Sequence, residues 1–350
     1  MNPLVHLNRF LFLVLFCSPS FLFSGNTKKP HFTPENGKLL NRNALSIPRP
    51  YYRRDEQASF IFSLSYTYWV PYIEGLILAN SPFPQGSNTL SFINTVTPSF
   101  SGKSGFQVEV AKYLHFDDWK CSAGYTWFYN APPYSFTPLN PSNSYVSPWI
   151  EGSYTTIATL NSRYTNQFNC LRGTLDRSLA ISPDFIFTPF GGVIGAWETS
   201  HLQIDAHIQL SPSDFLPYTV DNTMYWWCIG PYGGVELGYT WIKNTFLFLK
   251  VASSINLAKK DFWQYQDTPT GSSLSSFNIQ DHLWSVEPMF SQQLGIKLNC
   301  PLKDLSVFFD LSWEMQTWFS HMGFYTPGNQ MGLSGNYSMQ GLTALFGIIF

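Results

Sequence analysis

Between Leu305 and Phe319 nearly every second residue is apolar. Leu305, Val307, Phe309, Leu311, Trp313, Met315 and Phe319 share one parity, while Ser306, Asp310, Ser312, Glu314 and Gln316 share the other. Phe308 and Trp318 are the large exceptions on the polar parity. Successive side chains of a strand point to opposite faces, so the stretch is a strand with one apolar and one polar face. A polar connection leads to a second alternating run, Tyr337 to Phe350, with Leu342, Ala344, Phe346, Ile348 and Phe350 on one face. Such a face needs an apolar surround and a strand partner. A closed barrel in a membrane supplies both, because its last strand pairs with its first and faces lipid.

Composition agrees with that expectation. The chain of 350 residues is 44% hydrophobic but only 12% charged, about half the usual charged fraction. Mean hydropathy is -0.07, and beyond the N-terminus no apolar run is long enough for a membrane helix. The net charge of -2 lacks the basic excess that nucleic acid requires. A soluble all-β sandwich also shows regularly spaced strands, but it would turn its charge outward and carry more of it.

Residues 1–24 read as a secretory signal, with Arg9 ahead of the apolar run Phe10 to Phe16. Cys17 falls within it, and bulky Phe16 argues against a lipidation site. Residues 25–57 are polar and proline-containing and read as a flexible periplasmic leader or a segment that folds into the lumen, and 58–350 are expected to form the barrel. Export implies an oxidising compartment. Cys121, Cys170, Cys228 and Cys300 then allow three pairings, among which sequence does not choose.

From residue 58 onward strands and connections alternate, and the connections alternate in length. Short turns are expected at Asp117-Asp118, Ser182-Pro183, Lys243-Asn244 and Pro301-Leu302. Long loops are expected at Pro71 to Gly102, Asn130 to Gly152, around His201 to Asp221, at Asp261 to Asp281, and after Ser320. The pattern of the fourth strand changes phase near Asn169-Cys170, which suggests a β-bulge or two shorter pieces. The expectation is an antiparallel up-and-down transmembrane β-barrel of about ten strands, twelve being the alternative, with short periplasmic turns and long external loops. Trp69, Trp119, Tyr129, Trp197, Trp226, Trp227, Trp241 and Trp284 fit aromatic girdles at the two interfaces.

Several stretches resemble the major outer membrane proteins of Legionella and the related porin-like proteins of chlamydia-like bacteria. They are Ser104 to Phe128 around a DDW turn, Phe187 to Trp197, Ser312 to Phe319, and Met339 to Phe350. The chain departs from that pattern at Thr188, where the resemblance implies Arg, and at Leu345 and Ile349, which make the last strand apolar on both faces. The resemblance implies a surface-exposed porin that passes ions and small solutes.

Alternation turns Glu109, Asp176, Glu236, Glu287, Asp310 and Glu314 into the lumen with Arg172, Lys250 and Lys297, six acids against three bases. Charged rings set ion preference, so a weak preference for cations is expected. The alternative is a plugged, non-conducting structural or adhesive barrel whose loops bind a host or envelope partner. Phe346, Ile348 and Phe350 are expected to be read by the barrel-assembly machinery. Other expected partners are outer-membrane lipid and a second copy of the chain. His201, Asp205 and His207, or His321 with Ser320, are the nearest approach to a catalytic or metal-binding set. They lack the further partners that such chemistry needs, so no enzyme, cofactor or metal site is expected.

Overall fold

Ten of the alternating runs form long antiparallel strands that close into a ring. The computed structural model describes residues 60–81, 94–114, 119–137, 145, 147–149, 156–211, 214–267, 277–302, 305–325 and 332–350. The ring strands are β1 (Phe60–Ile73), β2 (Lys103–Tyr113), β3 (Trp119–Asn130), β4 (Thr156–Arg177) and β5 (Phe185–Ser211). They continue as β6 (Asp214–Ile242), β7 (Thr245–Asp267), β8 (Phe277–Pro301), β9 (Ser306–Tyr325) and β10 (Gly332–Ile349). Each pairs with its neighbours in the chain, and β10 returns to β1 from Ile61↔Ile349 to Ile73↔Tyr337. Phe60 N donates to Phe350 O at 2.9 Å and Phe350 N to Phe60 O at 3.0 Å, extending the seam to the last residue. Closure pairs both edges of the ring near the short turns, as a lipid-exposed wall requires, whereas residues 277–288 of β8 have no partner on the β9 side in the described register.

The expected short turns at Ser182-Pro183 and Lys243-Asn244 join β4 to β5 and β6 to β7. Asn244 takes a left-handed conformation, φ 65°, as a tight hairpin requires. The expected signal, the leader and the turn at Asp117-Asp118 lie outside the described residues.

The third long loop is not a loop. His201, Asp205 and His207 belong to β5, and Asp214 and Asp221 to β6. Between those strands only residues 212–213 remain, and likewise only 268–276 separate β7 from β8. His321 and Ser320 also lie within a strand, β9, rather than in the last loop. Strands β4 to β8 are therefore far taller than β1 to β3. The interior of this tall end is largely apolar, with Leu202, Ile204, Ile208, Val220 and Met224 fully buried beside the polar Asn222, Gln264 and Gln266. The short strands Ala79–Ser81 and Asn94–Val96 pair with each other near it. Trp149 joins the same buried cluster, its Nε1 donating to Ile77 O at 2.6 Å.

The lower outer wall carries the expected apolar residues, with Leu249, Leu294, Leu311 and Phe346 all exposed on it. Two of the expected girdle residues do not belong there. Trp69 and Trp226 point inward and are buried.

Candidate functional site

Register brings a layer of inward side chains together from two rows. Phe128, Phe168, Glu198, Trp226 and Lys260 are successive cross-strand partners on β3 to β7. On β8 that row reaches Leu283, while Met289, Trp318 and Tyr337 form a second row on β8 to β10, six residues along the strand. Leu283 apart, none of these side chains is more than 3% exposed. The two arcs meet across the lumen: the Trp318 ring lies 5.7 Å from Phe168 and 5.3 Å from Trp226, both edge-on. Tyr337 OH donates to Asn166 Oδ1 at 3.2 Å, and Trp69 packs 5.8 Å from Phe128. Among the described residues these aromatic contacts bridge opposite walls of the section.

A buried ion network locks the same layer. Lys260 Nζ meets Glu287 Oε1 at 2.7 Å, and His321 Nε2 meets Glu198 Oε2 at 2.9 Å. His321 Nδ1 faces Glu287 Oε2 at 3.6 Å, and Trp226 Nε1 donates to that oxygen at 2.9 Å. His321 reaches the interior because the β9–β10 register shifts between Trp318 and Met322, where Ser320 adopts φ 56°. The shift accommodates two extra residues, with Met322 pairing to Gly335 and staying buried like Trp318, so His321 turns inward within the bulge itself. The network therefore ties β5, β7, β8 and β9 together at the waist.

Between the waist and the short turns lies a cavity of about 280 Å³. It is lined by Glu109, Asp176, Glu236, Asp310 and Glu314 and by Lys120, Arg172, Lys250 and Lys297. Of the nine residues assigned to the lumen from alternation, eight line this cavity, and Glu287 instead sits in the waist network. Lys120 was not among the nine, although it shares the parity of Ser122, Gly124 and Thr126 on β3. The balance is thus five acids to four bases, against the six to three read from sequence. Two pairs are closed within it, Lys120–Asp176 at 3.3 Å and Lys297–Asp310 at 3.4 Å. Glu314 accepts from Gln107 Nε2 at 3.2 Å, from Gln316 Nε2 at 2.8 Å and from Thr343 Oγ1 at 3.1 Å, forming the roof. Leu345, Ile349 and Phe308 give the cavity an apolar side, which is what the doubly apolar last strand does.

Glu198, Lys260 and His321 were absent from the alternation-based set. The first two sit where the alternation changes polarity and the third lies within a bulge. His201 and His207 point out of the barrel, His201 against Asp221 at 2.7 Å and His207 against Thr159 at 3.0 Å. His321 has no solvent exposure. The four described cysteines are free thiols. Cys170 and Cys228 both lie opposite Ala196, so two strand spacings, about 10 Å, separate them. That exceeds the reach of a disulfide.

Residues 55–349 match the family model described as Legionella pneumophila major outer membrane protein precursor. No curated protein sequence matches the chain. Among solved structures, the outer membrane protease OmpT from Escherichia coli is similar with a TM-score of 0.42 at 9% identity, over 83% of this chain and 96% of that one. The Ralstonia pickettii toluene transporter TbuX gives 0.29 at 11% identity, over 85% and 90%. A FadL homologue of Pseudomonas aeruginosa gives 0.27 at 8% identity, over 84% and 90%.

Proposed function

The chain belongs to the Legionella major outer membrane protein family, and from that premise we propose that it is a surface-exposed envelope barrel sealed across its interior. Below the seal it keeps an ion-lined vestibule open toward the periplasm. The observation that carries this reading is the waist, where buried aromatic rings from opposite walls meet within 6 Å. Its role is that of a barrier and a structural wall component, without a catalytic step. Short turns of outer-membrane barrels face the periplasm, which sets the vestibule on that side. The last strand, ending on Phe350, is the element for the barrel-assembly machinery to read.

Single-channel recording of the refolded protein in planar bilayers tests the seal. The expected trace has no stepwise conductance. Regular open steps would overturn the sealed reading and favour a second one, a diffusion pore for ions and small solutes. The charged cavity of about 280 Å³ is what favours that second reading. In it, five carboxylates against four cations give a weak preference for cations.

A further inference from the structure

The outer wall changes character at the level of the waist. Tyr66, Phe106, Trp127, Trp197, Trp227 and Trp284 lie in one cross-strand register row that climbs the wall from β1 to β8. Through β10 and β9 the same row returns to β8 at Ile296, and on the tall strands it is marked by Trp197, Trp227 and Trp284. Phe106 stacks on Trp127 at 5.5 Å, and Trp227 meets Trp284 edge-on at 5.6 Å. On the short-turn side of this row β4 turns Leu171 and Leu175 outward; on the other side it turns Asn161, Arg163 and Gln167 outward. Strand β5 does the same, with Val193 below the row and Gln203 and Asp205 above it. The interior inverts at the same level, from the charged cavity below to buried Leu202, Ile204 and Ile208 above.

Apolar outside with polar inside is the arrangement of a wall in lipid, and the reverse is that of a barrel in water. Trp and Tyr concentrate at the boundary because their rings are apolar and their edges polar. We propose that on the tall strands β4 to β8 the bilayer covers only the wall between the short turns and the level of Trp197 and Trp227. The rest of β4 to β8 stands outside the membrane, on the cell surface, as a head with its own apolar core. The partner of the lower wall is lipid, and that of the upper wall is water.

Cysteine labelling on intact cells tests this with two outward positions of one strand, Gln203→Cys above the row and Val193→Cys below it. A membrane-impermeant maleimide is used, with the unsubstituted protein as the background for its own thiols. Gln203→Cys should label well above that background and Val193→Cys should not. The proposal is overturned if Gln203→Cys stays at background in folded protein, if it labels only after the outer membrane is permeabilised, or if both label alike. Arginine at the same two positions gives an independent readout. Gln203→Arg should leave the heat-modifiable folded fraction unchanged and Val193→Arg should lower it several-fold, whereas equal losses would sink the boundary. Conductance does not enter either readout, so a failure here is separate from a failure of the sealed waist.

Discussion

Lys260 and Glu287 have given up water on both sides, with side chains 3% and 0% exposed and 2.7 Å apart. A buried pair contributes little against an apolar replacement, but losing one partner strands the other charge, at about 3–5 kcal/mol. Lys260→Met should therefore lower the unfolding free energy in detergent by an amount near the lower end of that range, since His321 and Trp226 still face Glu287. The double variant Lys260→Met, Glu287→Met should lose less than the two single variants summed. Additive losses in urea titrations would mean that the two side chains do not act as a pair. On the wall, Leu311 is 59% exposed on the lipid side, so Leu311→Arg should cost about 2–4 kcal/mol near mid-bilayer. Gln293→Arg, on the next strand but facing the charged cavity, should keep its heat-modifiable band. Equal loss of that band in both variants would show that the two faces are wrongly assigned.

Strand β4 explains which parts of the fold were legible in the sequence. Its phase change near Asn169-Cys170 suggested a bulge or a break, yet the strand pairs without interruption from Asn166 to Arg177 and beyond. From Leu160 onward the even residues face inward, the one irregularity in register falling between Ile157 and Thr159. They are apolar at Leu160, Tyr164 and Phe168 and polar at Arg172, Thr174 and Asp176. What changes is the solvent on each face, and alternation alone cannot separate a swap of environment from a slip of register. The same inversion made His201 to Asp221 look like loop, because polar residues outside and apolar ones inside resemble no lipid-facing strand. Below the waist the polarity is uniform, and there alternation gave both the lipid face and eight cavity residues. The bulge at Ser320 left no such signal, and His321 was lost with it. The closing strand was the most readable element. Its outward Phe346 packs on Phe309 at 5.3 Å, and Phe350 stacks on Phe60 at 6.2 Å. Deleting Phe350 removes that ring and both hydrogen bonds to Phe60. The folded, heat-modifiable fraction in outer-membrane extracts should fall, and an unchanged fraction would show that the seam closes without its last residue.

Across the whole molecule, the waist divides one continuous barrel into a vestibule and a head, and the vestibule's contents decide what can enter it. Its four cations nearly balance its five carboxylates, leaving one carboxylate in excess. Glu109, Glu236 and Glu314 line the cavity without an ion pair among those described. Glu236 lies opposite Lys250 in the register and Glu314 accepts three hydrogen bonds, which leaves Glu109 as the candidate for that excess. At about 8 Å, with an effective dielectric constant between roughly 20 and 80, one unit charge is worth about 0.5–2 kcal/mol to a small ion. Thr174, on β4 in the cavity wall, is a neutral reporter position. In Thr174→Cys, a small cationic thiosulfonate should react faster than an anionic one of equal size, by about 5-fold to 900-fold, since the charge favours one and opposes the other. Adding Glu109→Gln should bring the two rates together. Both reagents should react only when the short-turn side is accessible, and slowly or not at all from outside intact cells. Equal access from the two sides would mean that the waist is open and the barrel a pore. An anion preference, or a ratio that Glu109→Gln leaves unmoved, would mean that the cavity charges do not set what enters.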